Sequence, residues 1–369
     1  MVGSRRVERL ALVASALAVS IAAGALSSGA QAASAARTSA ALVAPAYGVG
    51  IARCTFVDSS RTTFDYRSGA TVGGRTLVTE IRYPSLSAPS RASAGEVAGA
   101  APAYRRGPFP TLFFAPGYDV TPDAYTALLD AWVRAGFAVV APSFPDTNPT
   151  AVSSAGPGKY PEDDIVNQPG DLAFVVRAAL HASAASDPAC RVLHGLVNPA
   201  ELGIAGQSDG GSTVAMLAYD RAPSYAGLSL PVRIRAAAVM SGSEEPGTGP
   251  YEATPGDPAL LVVQSATDRC NPPQESTQLY DAIVQKDRWF LTIDRAHHLP
   301  PYDGENATAF AVVARVTTRF FLLELRGQVP AAGFLAYGDA ARAVASLTTG
   351  PVAPVLPDLD FEMSACYAH

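Results

Sequence analysis

The chain has few lysines, cysteines and histidines, and each shortage argues against a class of function. Lys159 and Lys286 are its two lysines, and 33 acidic residues outnumber 27 basic ones, for a formal net charge of −6. The sequence therefore offers no basic stripe for a nucleic-acid partner. No Cys-x-x-Cys pair and no cluster of cysteine with histidine occurs, which argues against a metal site. We expect neither a metal nor another cofactor.

The amino terminus has the pattern of an export signal. A basic start at residues 4–9 precedes the uncharged stretch Leu10–Leu26, and the small residues that follow end in Ala-Gln-Ala at 30–32. We therefore expect a signal peptide, residues 1–32, and a secreted bacterial protein. A membrane anchor is the competing interpretation, since about 17 residues is the lower limit for a span; the alanine-rich core favours cleavage. The arginine pair leaves the Sec and twin-arginine export routes both open.

The composition divides the rest of the chain into three parts. Residues 33–47 are rich in Ala, Ser and Thr and are expected to be a disordered leader. Residues 48–326 are long enough for one large domain. The tail, residues 327–369, is rich in proline and alanine, with one short helix expected around Asp339–Leu347. We expect the tail to pack on the domain rather than to form a second one.

Within residues 48–326, short apolar runs alternate with segments of helical spacing. Strands are predicted at Ile51–Val57, Arg75–Tyr83, Thr111–Ala115, Phe137–Ala141, Glu201–Ala205, Ile234–Met240, Ala259–Gln264 and Trp289–Ile293. Helices are predicted at Asp123–Ala135, Pro169–Ala182, Gly211–Tyr219, Glu275–Gln285 and Ala307–Leu325. This alternation predicts a mostly parallel sheet of about eight strands with helices on both faces. The first two strands have no helix between them and should lie antiparallel at one edge.

One strand-turn-helix segment carries the strongest chemical signal in the chain. The run Glu201–Ala205 is followed by Gly-Gln-Ser-Asp-Gly at residues 206–210 and then by a helix that begins with small residues. A Gly-x-Ser-x-Gly sequence in this setting is a nucleophile elbow. Its turn is so sharp that Gly206 and Gly210 must lack bulk for the strand and the helix to pass. Ser208 is therefore the expected nucleophile.

A serine nucleophile needs a base and an acid that orients the base. Parallel strands gather their functional groups at the carboxyl ends, and His297 and His298 stand directly after the last strand. The other three histidines fall at the opposite edge or at the terminus. Asp268 follows the preceding strand and is the expected acid; Asp294 competes, but it is close enough to the histidines that it would have to fold back. The order Ser208, Asp268, His298 is that of the α/β-hydrolase fold.

Hydrolysis also needs hydrogen-bond donors for the developing oxyanion. One is the backbone N–H of Asp209, the residue after the nucleophile. The second should come from the loop after the third strand, where Pro116, Gly117 and Tyr118 follow one another. Gly117 permits the turn, and Tyr118 would supply the N–H. Pro-Gly pairs mark many ordinary turns, so it is the position in the fold that favours this role.

These segments resemble secreted α/β-hydrolases of the serine esterase kind. The chain is similar to the platelet-activating-factor acetylhydrolase and chlorophyllase-like group, and more distantly to bacterial cutinases and polyester hydrolases. The resemblance covers residues 48 to about 326 and rests on residues 115–118, 206–211, 266–268 and 297–300. The family places its base just before an apolar residue, which favours His298 over His297. Asp209 stands where polyester hydrolases carry Met, and residues 240–245 lack their Trp, so the resemblance to them is weaker.

The resemblance implies a carboxylic-ester hydrolase that forms an acyl-enzyme on short-to-medium acyl esters. A lipase or polyester hydrolase, a serine peptidase on the same fold and a non-catalytic binding module are the alternatives. Two loops, residues 143–164 and 242–257, should shape the cleft. Neither is long enough for a helical lid domain, so we expect an open cleft. The expected partner is a small-molecule or polymeric ester, and we expect a monomer without a stable membrane anchor.

Four cysteines in an exported protein favour two disulfides, with three possible pairings. Cys190 should lie at the amino-terminal edge of the sheet and Cys270 at the carboxyl edge. Those edges are roughly 17–20 Å apart, whereas a disulfide allows about 4.4–6.8 Å between α-carbons. The Cys190–Cys270 pair is therefore the least favoured. Cys54–Cys190 with Cys270–Cys366 is preferred, and Cys54–Cys366 with the other two free stays open.

Overall fold

The computed structural model describes residues 47–87, 96–156, 158–222, 228, 230–330, 333–334, 344–352 and 356–367. The expected signal peptide and residues 33–46 of the expected leader lie outside these ranges. Within the described part of the chain, no helix is both long and apolar enough to cross a membrane.

The described strands form a single ten-stranded sheet. They are β1 (Gly48–Asp65), β2 (Ala70–Ser85), β3 (Glu96–Ala98), β4 (Phe109–Ala115), β5 (Ala138–Ser143), β6 (Val197–Gln207), β7 (Ile234–Met240), β8 (Ala259–Ser265), β9 (Arg288–Ile293) and β10 (Ala345–Thr348). Their order across the sheet is β10-β9-β8-β7-β6-β4-β5-β2-β1-β3. All pairs from β5 to β9 are parallel. β2 and β10 lie antiparallel to the two ends of this parallel block.

Helices cover both faces of the sheet. They are α1 (Thr126–Arg134), α2 (Pro149–Ser154), α3 (Gln168–Ala185), α4 (Asp209–Tyr219), α5 (Pro273–Ala282), α6 (Pro300–Asp303) and α7 (Ala307–Arg326), with 3-10 turns at Tyr104–Arg106, Pro122–Tyr125, Pro161–Asn167, Pro188–Leu193 and Met363–Tyr367. The apolar sides of α3, α4 and α5 pack on one face, and those of α1 and α7 on the other. β4 and β8 are buried at every residue, as expected for strands covered on both sides.

The sheet has ten strands in the described residues, where about eight were expected. The two that were not predicted are the short edge strands β3 and β10. The helix predicted around Asp339–Leu347 is wrong over its last four residues, because Val344 lies in a turn and Ala345–Thr348 pair antiparallel with β9; residues 339–343 lie outside the described part. Pairing with β10 satisfies the backbone N–H and C=O groups at the edge of β9. This pairing outweighs the helix propensity of an alanine-rich segment.

The β1–β2 hairpin is longer than predicted, because the polar segment between the two expected strands continues the pairing with a bulge between Asp58 and Thr62. One buried cation anchors this extension to the rest of the domain. Arg75 is 1 % exposed and donates to the carboxylates of Asp164, at the 3-10 turn, and Asp171, on α3. The extension is thus held by ion pairs rather than by apolar packing, so hydrophobic patterning could not reveal it.

Two disulfides are present, with the pairing that the sequence analysis preferred. Cys54 on β1 is joined to Cys190, with 5.4 Å between their α-carbons. Cys270, after β8, is joined to Cys366, with 4.7 Å between their α-carbons. The second bond connects the tail to the loop that carries Asp268.

Candidate active site

Ser208 lies at the junction of β6 and α4 with a strained backbone. Its φ of 58° and ψ of −129° fall in a region that residues with a side chain rarely adopt. The flanking glycines are sterically required. A β-carbon on Gly206 would lie 2.0 Å from the Gly210 oxygen, and one on Gly210 would lie 1.9 Å from the Ala115 oxygen. The strand and the helix can therefore meet at this angle only without side chains at both positions.

His298 and Asp268 form a buried hydrogen-bonded pair. His298 Nδ1 lies 2.8 Å from Asp268 Oδ2, and the two residues are 5 % and 0 % exposed. The other oxygen, Oδ1, accepts the backbone N–H groups of Cys270 at 2.9 Å and Asn271 at 3.1 Å. Since the aspartate is an acceptor on both oxygens, Nδ1 of the histidine donates to Oδ2, and Nε2 is the ring nitrogen that faces away from Asp268.

The loop between β9 and His298 is held by side chains from the end of β8. The hydroxyls of Ser265 and Thr267 donate to the Ala296 carbonyl oxygen at 2.8 and 3.0 Å. The same two hydroxyl oxygens accept the backbone N–H of Ala296, each at 3.1 Å. These hydrogen bonds fix the loop so that His298 lies against Asp268. They leave the neighbouring His297 exposed, on the wall of a separate pocket of about 530 Å³.

The two competing residues are not part of the buried pair. His297 is exposed, and Asp294 is exposed as well. The Asp294 backbone N–H pairs with Val344 in front of β10, so this residue belongs to the outer edge of the sheet. Of the candidates for base and acid, the structure brings together His298 and Asp268.

Gln207 connects Ser208 to His298, because it precedes the serine in the chain and its side chain contacts the histidine. Among the described residues there is no hydrogen bond between the Ser208 hydroxyl and the His298 ring. Nε2 of His298 lies 3.2 Å from the amide nitrogen of Gln207, the residue that precedes the serine. The His298 ring thus faces the nucleophile elbow. The Gln207 amide lies next to Nε2, the atom that would receive the serine proton.

The two segments that carry the expected oxyanion donors lie next to the serine. A β-carbon on Gly117 would lie 3.0 Å from the Ser208 β-carbon, so the loop that ends in Tyr118 passes directly beside the nucleophile. Asp209 is the first residue of α4, and the first N–H groups of a helix have no acceptor within it. The Asp209 N–H is therefore at the end of the helix dipole that favours negative charge.

The side chain of Asp209 is an unusual neighbour for an oxyanion site. The residue is 7 % exposed, and its Oδ2 is buried without a hydrogen-bond partner. Burial raises the pKa of this carboxyl well above its ordinary value, and the nearby Glu162 and Glu245 raise it further. Burial and the charges of Glu245 and Asp268 likewise raise the pKa of Glu275. This side of the site is acidic.

Sequence reasoning missed the groups that hold the site together: Tyr125, Gln207, Ser265, Thr267 and Asn271. Gln207 stood inside the Gly-x-Ser-x-Gly sequence, but its position there does not indicate which neighbour its side chain contacts. Ser265 and Thr267 could have been noticed as hydroxyls at the end of the strand before the acid. Tyr125 and Asn271 carry no local signal.

The loops expected to shape the cleft carry no large lid. In the described residues of 143–164, the structure has the six-residue α2 and the beginning of a 3-10 turn. Residues 242–257 contain no helix. Within the described residues, no group of three or more His, Cys, Asp or Glu side chains is placed to hold a metal ion.

Comparison with known proteins defines the fold class. No protein-family model matches the chain, and no curated protein sequence matches it. Solved structures do match, among them a ferulic acid esterase from Streptomyces cinnamoneus, with a TM-score of 0.54 and 20 % identity over 79 % of this chain and 94 % of that chain. With the parallel sheet and the elbow, this likeness shows an α/β-hydrolase fold. It does not distinguish the acetylhydrolase, chlorophyllase-like or cutinase groups.

Proposed function

We propose that this protein is a secreted carboxylic-ester hydrolase that forms an acyl-enzyme on Ser208. The observation that carries the proposal is the buried pair of His298 and Asp268, joined at 2.8 Å, beside a strained serine at the carboxyl edge of a parallel sheet. An α/β-hydrolase scaffold places a serine, its base and its acid at this edge, in the chain order found here.

The proposed reaction has two halves. The Ser208 oxygen attacks the ester carbonyl carbon while His298 Nε2 takes the serine proton. The negative oxygen receives the N–H groups of Tyr118 and Asp209, the C–O bond to the alcohol breaks, and the alcohol leaves with the proton from His298. In the second half, water loses a proton to His298 and attacks the acyl carbon. Ser208 then leaves the acyl group and regains the proton, which releases the acid.

The substrate is proposed as a short-to-medium acyl ester reached through an open cleft. One structural neighbour is a ferulic acid esterase, so feruloyl esters belong in the substrate panel together with p-nitrophenyl acetate and butyrate. Asp209 and the absence of Trp at residues 240–245 argue against polyester as the main substrate. A peptide amide and a polyester film complete the panel, because each represents one alternative function of the same site.

The decisive test combines activity with active-site labelling. Ser208→Ala should lower p-nitrophenyl butyrate turnover by at least about a thousandfold and abolish labelling by a fluorophosphonate probe. Ser59→Ala, an exposed serine on β1, is the matched control and should behave as the unmodified protein. Full labelling of the Ser208→Ala protein would refute the assignment of the nucleophile. A folded wild-type protein that neither labels nor turns over any ester would indicate a binding module.

Export is part of the proposal and has its own test. Expressed from its full sequence in a bacterial host, the protein should be found outside the cytoplasm with an amino terminus at Ala33. An intact Met1 terminus on cell membranes would favour the anchor interpretation instead.

A further inference from the structure

The side-chain amide of Gln207 connects two parts of the candidate site. Gln207 is 1 % exposed. Its Oε1 accepts a hydrogen bond from the Tyr125 hydroxyl at 2.7 Å. Its Nε2 lies 3.2 Å from His298 Nε2 and 3.4 Å from the His298 carbonyl oxygen. A buried amide with partners at both ends is held in one orientation.

The partners of Tyr125 determine which end of the amide faces the histidine. The Gly117 backbone N–H donates to the Tyr125 hydroxyl oxygen at 3.2 Å, so the single hydroxyl hydrogen is available for an acceptor. The Gln207 carbonyl oxygen is that acceptor. The amide NH2 group therefore faces His298 and can only donate. A flipped amide would leave the hydroxyl hydrogen of a fully buried tyrosine without an acceptor.

We infer that Gln207 is a positioning residue for the base: its NH2 group holds His298 with Nε2 unprotonated and opposes the protonated ring. This inference rests on the proposed function. The Gln207 NH2 group can donate a hydrogen bond to the lone pair of an unprotonated His298 Nε2. When Nε2 is protonated, two N–H donors face each other and no hydrogen bond forms between them. The resting histidine is thereby kept as the tautomer that can accept the Ser208 proton. The amide must shift when that proton arrives.

Tyr125 determines which end of the Gln207 amide faces His298. It also connects the amide to the loop of Gly117 and Tyr118, here called the oxyanion loop. Because its hydroxyl occupies Oε1, the amide cannot turn to offer an oxygen to the histidine. The same hydroxyl receives the N–H of Gly117, the residue before the proposed oxyanion donor Tyr118. One hydrogen-bonded chain thus runs from Gly117 through Tyr125 and Gln207 to His298.

Other ionisable groups face this chain and stay the same in every variant proposed below. Asp268 faces the opposite side of the His298 ring. Asp209 on α4 and Asp303 on α6 lie near Tyr125, Tyr302 on α6 lies near Asp268 and Tyr125, and Glu275 on α5 lies near Asp268. A difference between variants therefore reports the side chain that was changed.

The test is the pH profile of kcat/KM for p-nitrophenyl butyrate in Gln207→Glu and Tyr125→Phe. A carboxylate at 207 accepts from both the tyrosine and a protonated His298, so the midpoint of the acid limb should rise by about one pH unit or more. In Tyr125→Phe the amide is free to turn its oxygen to the ring, and the midpoint should rise by less. Gln285→Glu is the same exchange next to Pro258, before the amino-terminal end of β8, and should leave the profile unchanged.

Two outcomes separate this inference from its alternatives. If the acid limb stays in place in both variants while their melting temperatures fall, the amide only packs the site and the inference is overturned. If Gln207→Glu does not fold, Tyr125→Phe alone decides, because it removes a single hydroxyl. Failure of the proposed function would appear elsewhere, as turnover retained by Ser208→Ala, and would not depend on any pH profile.

Discussion

The backbone N–H of Cys270 donates to the Asp268 carboxylate at 2.9 Å, and the sulfur of the same Cys270 is bonded to Cys366 in the tail. The tail is thus covalently attached to the turn that orients the proposed catalytic acid. The other disulfide, Cys54–Cys190, connects β1 to the segment before β6 and touches none of the proposed catalytic residues. The two bonds should therefore differ in what they contribute to function.

Removing each disulfide by a pair of alanine substitutions should separate stability from activity. Both losses should lower the free energy of unfolding, by up to about 4.7 kcal/mol for a loop of roughly 100 residues. Only the Cys270→Ala/Cys366→Ala protein should also lose kcat/KM several-fold at temperatures where it is fully folded, because its acid is less well oriented. Ester assays and urea unfolding measure the two effects. Equal activity in both double variants would show that the tail bond is purely structural.

The two adjacent histidines should respond differently to truncation. His298→Ala should lose as much turnover as Ser208→Ala, since it removes the proposed base. His297→Ala should retain most activity, because that side chain is exposed outside the buried pair. Rate measurements on both proteins, with circular dichroism to check folding, decide the matter. The reverse pattern would transfer the role to His297.

Gly210 should not tolerate even one methyl group. A β-carbon there would lie 1.9 Å from the Ala115 oxygen and 2.7 Å from the Pro116 oxygen, both backbone atoms that cannot move without displacing the oxyanion loop. Gly210→Ala should therefore lower the free energy of unfolding by about 3 kcal/mol or more and abolish turnover. Gly73→Ala is the control, because a β-carbon at that position would have nothing within 4 Å of it. A stable and active Gly210→Ala protein would contradict this account of the elbow.

Arg75 should be far more important for stability than an exposed arginine of the same hairpin. Arg75→Met leaves the buried carboxylates of Asp164 and Asp171 without their main cation, which should lower the free energy of unfolding by about 3–5 kcal/mol. Arg53→Met removes a 61 % exposed side chain paired with Asp123 and should change the free energy of unfolding by about 1 kcal/mol or less. Chemical denaturation compares them. Similar losses in both would mean that the carboxylates rearrange to reach water.

Asp209 should make the protein less stable as the pH rises. Its folded pKa is raised by burial and then by Glu162 and Glu245, so the folded protein binds more protons than the unfolded chain. This group's favourable contribution is present below its unfolded pKa of about 4 and is lost as the pH rises towards the folded value.

Asp209→Asn removes that titration and keeps the backbone N–H. The free energy of unfolding should therefore rise by about 1–3 kcal/mol at pH 8, with little change at pH 4, and activity should be retained. Asp281→Asn, an exposed aspartate on α5, should show no such pH dependence. A uniform shift of the Asp209→Asn protein at both pH values would indicate that hydrogen bonding, not charge, is responsible.

The strand-helix alternation was predictable because its cause is local. β4 is apolar except at Thr111, the first five residues of β8 are apolar, and Ile234–Met240 was predicted with the bounds that the structure has. The same locality explains the errors. β10 is a strand because β9 offers it an unpaired edge, and the hairpin extension depends on Arg75 meeting carboxylates about 90 residues further along the chain. Neither partner is visible in a short stretch of sequence.

The amino-acid sequence by itself determined the fold class and the short list of residues able to do chemistry. The reasons are the periodicity of burial, the glycines that a sharp turn requires, and the rule that parallel strands end at one edge. Tertiary structure decided among the neighbours that the sequence left open. It placed His298 rather than His297 against Asp268 and joined Cys366 to Cys270, as the sequence analysis preferred. It also set Gln207 between Tyr125 and the histidine, which no sequence pattern predicted. These contacts join residues up to about 96 positions apart, and a pattern within one segment of the chain cannot specify a distance to another.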